Sequence, residues 1–251
     1  MSKIVSVHSF RGGTGKSNTT ANLATLLAAE GRCVGVVDTD IASPGIHVLF
    51  GLSEDQIAHS LNDYLYGKCA IQETACDVTA NLELSGEGKV YLVPSSIRAG
   101  EIARVLREGY DVELLNDGFR DLIKTLNLDV LMIDTHPGLN EETLLSIAIS
   151  DVLLIVLRPD QQDYQGTGVT VEVARKLGVP DMLLIVNKVP AAFAPAEVKA
   201  LVERAYNASV AAVLPHSDEM MVLASAGVFV VRYPDHPITL MLKQVAQRLA
   251  A

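Results

Sequence analysis

The run Phe10-Arg11-Gly12-Gly13-Thr14-Gly15-Lys16-Ser17 follows directly on the apolar stretch Ile4-Val5-Ser6-Val7-His8. A strand that ends in a glycine-rich turn and opens a helix is a phosphate cradle, because the backbone N–H groups of the turn converge on phosphate oxygens. Gly12, Gly13 and Gly15 allow an approach that a Cβ would block. Lys16 is placed to reach β- and γ-phosphates, and the Ser17 hydroxyl to ligate Mg²⁺. Thr14 and Asn18 complete the candidate nucleotide contacts of the loop and the first helical turn. The ordinary form of the motif has glycine where Phe10 stands. The chain fits better the deviant form Lys-Gly-Gly-x-Gly-Lys-Ser/Thr, with Arg11 in place of its first lysine.

Two acidic strand ends point to the same chemistry. Asp38-Thr39-Asp40 closes the apolar run Cys33–Val37, and Asp134-Thr135 closes Val130–Ile133. Magnesium takes oxygen ligands and keeps several waters, so a nearby carboxylate holds it directly or through water. A carboxylate also orients an attacking water. Asp134 is therefore a metal-side candidate with Ser17, and Asp38-Thr39-Asp40 offers carboxylates either to the metal shell or to the attacking water. His136, in the Pro-Gly turn after Asp134, reads as a switch-loop residue without a proton-transfer role.

These residues need a scaffold that brings strand ends together. Apolar runs recur at Ile4–Val7, Cys33–Val37, Val130–Ile133, Val152–Leu157 and Leu183–Val186, without polar alternation, as in parallel strands buried on both faces. Helix patterns lie between them at Asn18–Glu30, Glu141–Ile149, Gly166–Leu177 and Pro195–Tyr206. The alternation predicts an α/β fold: a doubly wound, mostly parallel central sheet with helices on both faces, and ligand chemistry at the carboxyl ends of the strands. Ser53–Tyr66 is expected as a further helix, Val90–Val93 as a short strand and Pro94-Ser95-Ser96 as a turn. With no linker-like or repetitive segment, residues 1–251 are expected to form a single domain.

Composition excludes several classes. Among 251 residues, 49% are hydrophobic and 20% charged, which argues for a packed core and against global disorder. No apolar run reaches the ~18 residues of a membrane span, and the start Met1-Ser2-Lys3-Ile4 leaves no room for a secretory leader. Cys33, Cys69 and Cys76 lack CxxC spacing and read as reduced cytoplasmic thiols. The net charge of −10 does not support coating of nucleic acid, although a local basic patch stays open.

These motifs, in this order, resemble the MinD/ParA family of deviant Walker P-loop ATPases, closer to MinD-like proteins than to plasmid partition proteins. The resemblance covers most of the chain and includes Gly12–Ser17, Val37-Asp38-Thr39-Asp40, Ser43-Pro44-Gly45, Ile133-Asp134-Thr135, Ile185-Val186-Asn187-Lys188 and Val213-Leu214-Pro215. It implies ATP and Mg²⁺ as cofactors, an ATP-dependent homodimer with nucleotide sandwiched between subunits, and a positional switch that a regulatory or cargo protein triggers. It further implies that Lys16 and Ser17 hold phosphate and Mg²⁺, that Asp38 and Asp134 support the metal, that Asp40 positions the water, and that Asn187 and Pro215 line the adenine. The family's first loop lysine crosses to the partner's phosphates. Arg11 keeps its position and charge, and a guanidinium fork suits phosphate oxygens. The other reading is that Arg11 binds differently and hydrolysis is slow, leaving a nucleotide-sensing scaffold. Asn187-Lys188-Val189-Pro190 lacks the aspartate that reads guanine, which favours adenine.

The family's surface-binding devices fit this chain less well. Ile238, Leu242, Val245 and Leu249 share one helical face near the C-terminus, with only Lys243 and Arg248 basic, so the segment is expected to pack on the core rather than to anchor in a membrane. Arg98, Arg104, Arg107, Arg120 and Lys124 are interspersed with acids and read as a solvated mixed-charge face rather than a DNA surface. A tyrosine-kinase relative is disfavoured by the absence of a C-terminal tyrosine cluster, and an iron–sulfur ATPase by the spacing of Cys69 and Cys76.

Overall fold

The computed structural model describes residues 2–84 and 86–250; Met1, Ser85 and Ala251 lie outside the described residues, including the ends of the readings that begin at Met1 and close at Ala251. The strands are β1 (Lys3–His8), β2 (Cys33–Asp38), β3 (Cys76–Asp77), β4 (Lys89–Val93), β5 (Val130–Asp134), β6 (Val152–Leu157), β7 (Asp181–Val189) and β8 (Ser209–Pro215). The helices are α1 (Lys16–Ala29), α2 (Ile46–Leu49), α3 (Leu61–Leu65), α4 (Ala99–Glu108), α5 (Val112–Leu126), α6 (Glu141–Ala148), α7 (Gln161–Lys176), α8 (Pro195–Tyr206), α9 (Asp218–Leu223), α10 (Phe229–Arg232) and α11 (Pro237–Ala250).

One eight-stranded sheet runs in the order β3-β4-β2-β5-β1-β6-β7-β8, parallel throughout except for the β3–β4 edge pair. Its central strands β2, β5 and β6 carry near-continuous apolar runs because both of their faces are covered. On one face Val5, Val7, Val34, Val36, Met132 and Leu154 pack with Leu23 and Leu27 of α1 and with α11. On the other, Leu131 and Ile133 meet Leu115, Phe119 and Leu122 of α5, and Ile155 and Leu184 meet Val171 of α7 and Val202 of α8. From β1 the chain winds first toward β2 and later toward β6, so the carboxyl end of β1 lies where the winding reverses.

The segment Ser53–Tyr66 is not the single helix expected of it. Glu54–Gln56 form one 3₁₀ turn, Ile57 is extended (φ −88°, ψ 99°), and α3 starts afresh at Leu61. The physical cause is two local caps: the Gln56 side chain accepts from the Ser53 backbone, and Asp63 accepts from the Ser60 N–H and hydroxyl. α7 also begins earlier than its apolar period indicates, because the Asp160 carboxylate accepts from the N–H groups of Gln162 and Asp163. α11 buries Ile238, Leu242, Val245 and Leu249 against the sheet, in keeping with a core-packing helix. Among the described residues no helix is long and apolar enough to cross a membrane. Arg98 pairs with Glu54 and Glu101, Arg104 and Arg107 with Glu108, and Arg120 with Asp117, which is the mixed-charge surface expected of them.

Candidate functional site

The loop between β1 and α1 takes its shape from left-handed glycines, Gly13 at φ 78° and Gly15 at φ 98°. A Cβ on Gly12 or Gly13 would meet no atom, so that side of the loop is open; at Gly15 it would overlap the Asn187 amide. β7 braces the loop from behind. The Asn187 Nδ2 donates to the Thr14 carbonyl (2.8 Å), and the Lys188 Nζ to the Gly13 carbonyl (2.8 Å). The Thr14 hydroxyl is buried and has no hydrogen-bond partner.

The β2–β5 register sets Asp38 beside Asp134. From the first turn of α1, Lys16 donates to Asp134 Oδ1 at 2.8 Å, and Thr20, one turn on, donates to the same oxygen at 3.0 Å. The Lys16 ammonium also stands 3.4 Å from the Ser17 hydroxyl. Both members of the ion pair are buried. Burial, then the neighbouring Asp134, push the Asp38 carboxyl up to about 7, against the pull of Lys16. Asp38 accepts from the N–H groups of Asp40 (3.0 Å) and Gly45 (3.3 Å), which pins the following loop. Burial likewise raises Asp40, whose Oδ1 lies 3.8 Å from His136 Nε2, too far for a hydrogen bond. His8, at the end of β1, is held neutral: burial, then Lys16, lower it to about 3, and its Nδ1 pairs with the Thr135 hydroxyl at 2.8 Å.

A cavity of about 460 Å³ opens beside the loop, lined by Gly15, Asn18, Asn187, Pro215, Met220 and Met221. Its size and largely apolar lining suit a nucleoside. The sequence-predicted residues thus fall into three places. Gly12 to Ser17 form the cradle, with Asp38, Asp40 and Asp134 beyond it at the strand ends. Asn18, Asn187 and Pro215 form the adjoining cavity. Arg11 alone turns away, toward Asp160 and Asp163 at the start of α7, at 3.6 and 3.8 Å.

Three residues at the site were not singled out from sequence. Thr20 lies four positions after Lys16, on the same helical face, and that spacing is the signal that would have found it. Lys188 braces the loop through a positive φ of 57°, which no local pattern announces. His8 is hidden inside an apolar strand.

Among the described residues no cluster of three or more His, Cys, Asp or Glu side chains is arranged to cage a metal. Two adjacent carboxylates and a Ser hydroxyl facing an open cradle fit Mg²⁺, which binds through one or two carboxylates and completes its shell from phosphate and water.

This fold and site define a P-loop nucleotide-binding protein. A family model described as an AAA domain matches residues 2–178, and the chain belongs to that family, among the MinD/ParA P-loop ATPases. It is 28% identical over 99% of its length to an uncharacterized ATP-binding protein of Methanocaldococcus jannaschii, MJ0547, of which it covers 88%. It is 31% identical to the flagellum site-determining protein YlxH of Helicobacter pylori, over 81% of this chain and 63% of that one. The septum site-determining protein MinD of Pyrococcus horikoshii, solved with Mg-ADP, superposes with a TM-score of 0.81 over 99% of this chain and 96% of that one, at 21% identity.

Proposed function

We propose that the chain is a Mg²⁺-dependent ATPase that dimerises around ATP and acts as a positional or regulatory switch for another protein in the cytoplasm. The observation that carries this reading is the convergence of Lys16, Ser17, Asp38 and Asp134 on one open glycine-rich loop, beside a nucleoside-sized cavity. The names of two relatives, one placing flagella and one placing septa, support the switch.

In this reading the Gly12–Gly15 N–H groups and Lys16 bind the phosphates, and Asn18, Asn187 and Pro215 enclose the adenine. Ser17, Asp38 and Asp134 hold Mg²⁺, which when bound supplies positive charge to the β- and γ-phosphates. Lys16 and Asp134 are counter-ions to each other, so a phosphate on Lys16 and a metal on Asp134 would replace that pair charge for charge. Asp40 orients the attacking water and accepts its proton, in a carboxyl that burial already makes more basic. Arg11 supplies a guanidinium to the developing phosphate charge across the dimer. Neither DNA nor membrane is required by the surface described.

A second reading has one observation in its favour: Arg11 rests on carboxylates away from Lys16, which suits a nucleotide-sensing scaffold that turns over little. Steady-state phosphate release with Mg-ATP separates the two. The ATPase reading expects Asp40→Asn to lose turnover by ~10²-fold or more while fluorescent-ATP binding is retained. Wild-type release at the no-enzyme rate, with ATP binding intact, would establish the scaffold.

A further inference from the structure

The two edges of the sheet are finished differently. At one, β3 is two residues long and antiparallel, and the turn after it folds back on β4: the Val78 N–H donates to the Val90 carbonyl, and the Val90 N–H to the Thr79 hydroxyl. At the other, β8 runs for seven residues and pairs with β7 alone. Backbone N–H and C=O groups alternate sides along a strand, so an edge strand presents a row of them without ladder partners. The β7–β8 register also skips Ala211, which leaves that residue opposite nothing on β7.

A slot of about 240 Å³ runs beside β8. Ala211, Ala212 and Val213 form its floor, Ala196 and Lys199 of α8 one wall, and Met241 of α11 the other. One edge donor already has a stand-in for a strand: the Val210 N–H donates to Glu203 Oε1 at 3.1 Å, so a carboxylate from α8 takes the role that the carbonyl of a ninth strand would have. Among the described residues, no side chain or loop hydrogen-bonds to the backbone from Ala211 to Leu214.

Shape selects the occupant. A second sheet edge would bring its own covering helices against α8 and α11, whereas a single extended chain brings none. The small side chains of Ala196, Ala211 and Ala212 leave room for apolar side chains on that chain. Lys199 is the one charged side chain on the slot. It is half exposed, and Glu203 stands 3.9 Å from it, beyond hydrogen-bond reach, so its charge is open to a further carboxylate.

We propose that β8 is a docking edge for an extended segment of a partner protein, which adds as a ninth strand in the slot between α8 and α11. The segment carries small or β-branched apolar residues on one side and a carboxylate that meets Lys199. The strand it lengthens ends at Pro215, in the nucleoside cavity. Such docking is independent of ATP turnover.

The test uses the full chain and a synthetic probe, an acetylated peptide of alternating valine and threonine with one glutamate, beside the same peptide N-methylated on its backbone amides. Calorimetry should show binding of the first peptide and an affinity about tenfold or more lower for the second, the worth of two backbone hydrogen bonds. Amide exchange from Ala211 to Leu214 should slow with the first peptide alone. Lys199→Gln should weaken binding about two- to fivefold, and not at all for a probe with glutamine in place of its glutamate. Ala196→Trp, at an exposed helix position, fills the slot from its wall and should abolish binding without moving the unfolding midpoint. Should it misfold, Gln244→Trp fills the slot from the opposite wall and carries the same expectation. No binding at millimolar peptide, equal affinity for the methylated probe, or unchanged exchange overturns the proposal. A nucleotide-free dimer that Ala196→Trp abolishes would put a second copy of the chain in the slot, and overturns it too.

Discussion

The Lys16 ammonium and the Asp134 carboxylate lie 2.8 Å apart, both buried, at the meeting of α1 with β5. The pair neutralises a strand end at which Asp38 is a second buried acid. Removing the cation alone leaves two carboxyls with no counter-charge. Lys16→Met should therefore cost about 3–5 kcal/mol of stability by urea unfolding as well as abolish ATP binding. Asp134→Asn in the same chain should recover part of the stability and none of the binding.

Asp38 gives a pH signature. Its folded value of about 7 lies above the ordinary ~3.9, so between those two values the folded chain holds a proton that the unfolded chain has released. Stability from this group is full below about pH 4 and is lost as pH rises through about 7. His8 acts oppositely: lowered to about 3 in the fold, it costs stability as pH falls below its ordinary ~6.5. The two offset each other in the wild type between about pH 4 and 6.5, so the informative quantity is a difference. Asp38→Asn should be more stable than wild type above pH 7, by a few kcal/mol to order of magnitude, with the gap closing toward pH 4. The same variant should lose Mg²⁺-dependent nucleotide affinity. A gap that does not change with pH would contradict the assignment.

Thr20→Val keeps shape and removes the hydroxyl that donates to Asp134 at 3.0 Å. The expected cost is about 1–2 kcal/mol in thermal unfolding, with Mg²⁺-dependent turnover reduced because Asp134 loses one of its two fixed donors.

Gly15→Ala meets two obstacles at once, a φ of 98° and the Asn187 amide. It should destabilise by about 1–3 kcal/mol and weaken ATP binding. Asn187→Ala relieves only the overlap, so the double variant should regain little of the stability that the backbone conformation costs.

The α11 face separates a core helix from a membrane anchor. Leu242 is 1% exposed, and Leu242→Ala should cost about 2–5 kcal/mol while leaving flotation with anionic vesicles as it is in the wild type. ATP-dependent flotation that the substitution abolishes without lowering stability would favour an anchor.

Much of the site was legible because parallel strands buried on both faces read as apolar runs, and their polar ends then stand out: Asp38 and Asp134 announce themselves, as does a glycine-rich loop opening on Lys16-Ser17. What the sequence could not show depends on contacts between distant segments or on local caps that override pattern. Asp163 meets Arg11 only because β6 lies beside β1. The Ser53–Tyr66 stretch carries helical spacing, but the Ser53–Gln56 and Ser60–Asp63 bonds satisfy the backbone in separate turns. β8 escaped notice because it pairs with β7 alone and buries only alternate residues.

The central claim is a nucleotide-controlled assembly built on this loop. Its most direct test is the mass of the purified chain by light scattering with Mg²⁺ and ATP, ADP or no nucleotide, for wild type and Arg11→Ala. The account predicts a dimer with ATP alone in the wild type and a reduced or absent dimer in Arg11→Ala. A wild-type mass that is the same in all three conditions would contradict it.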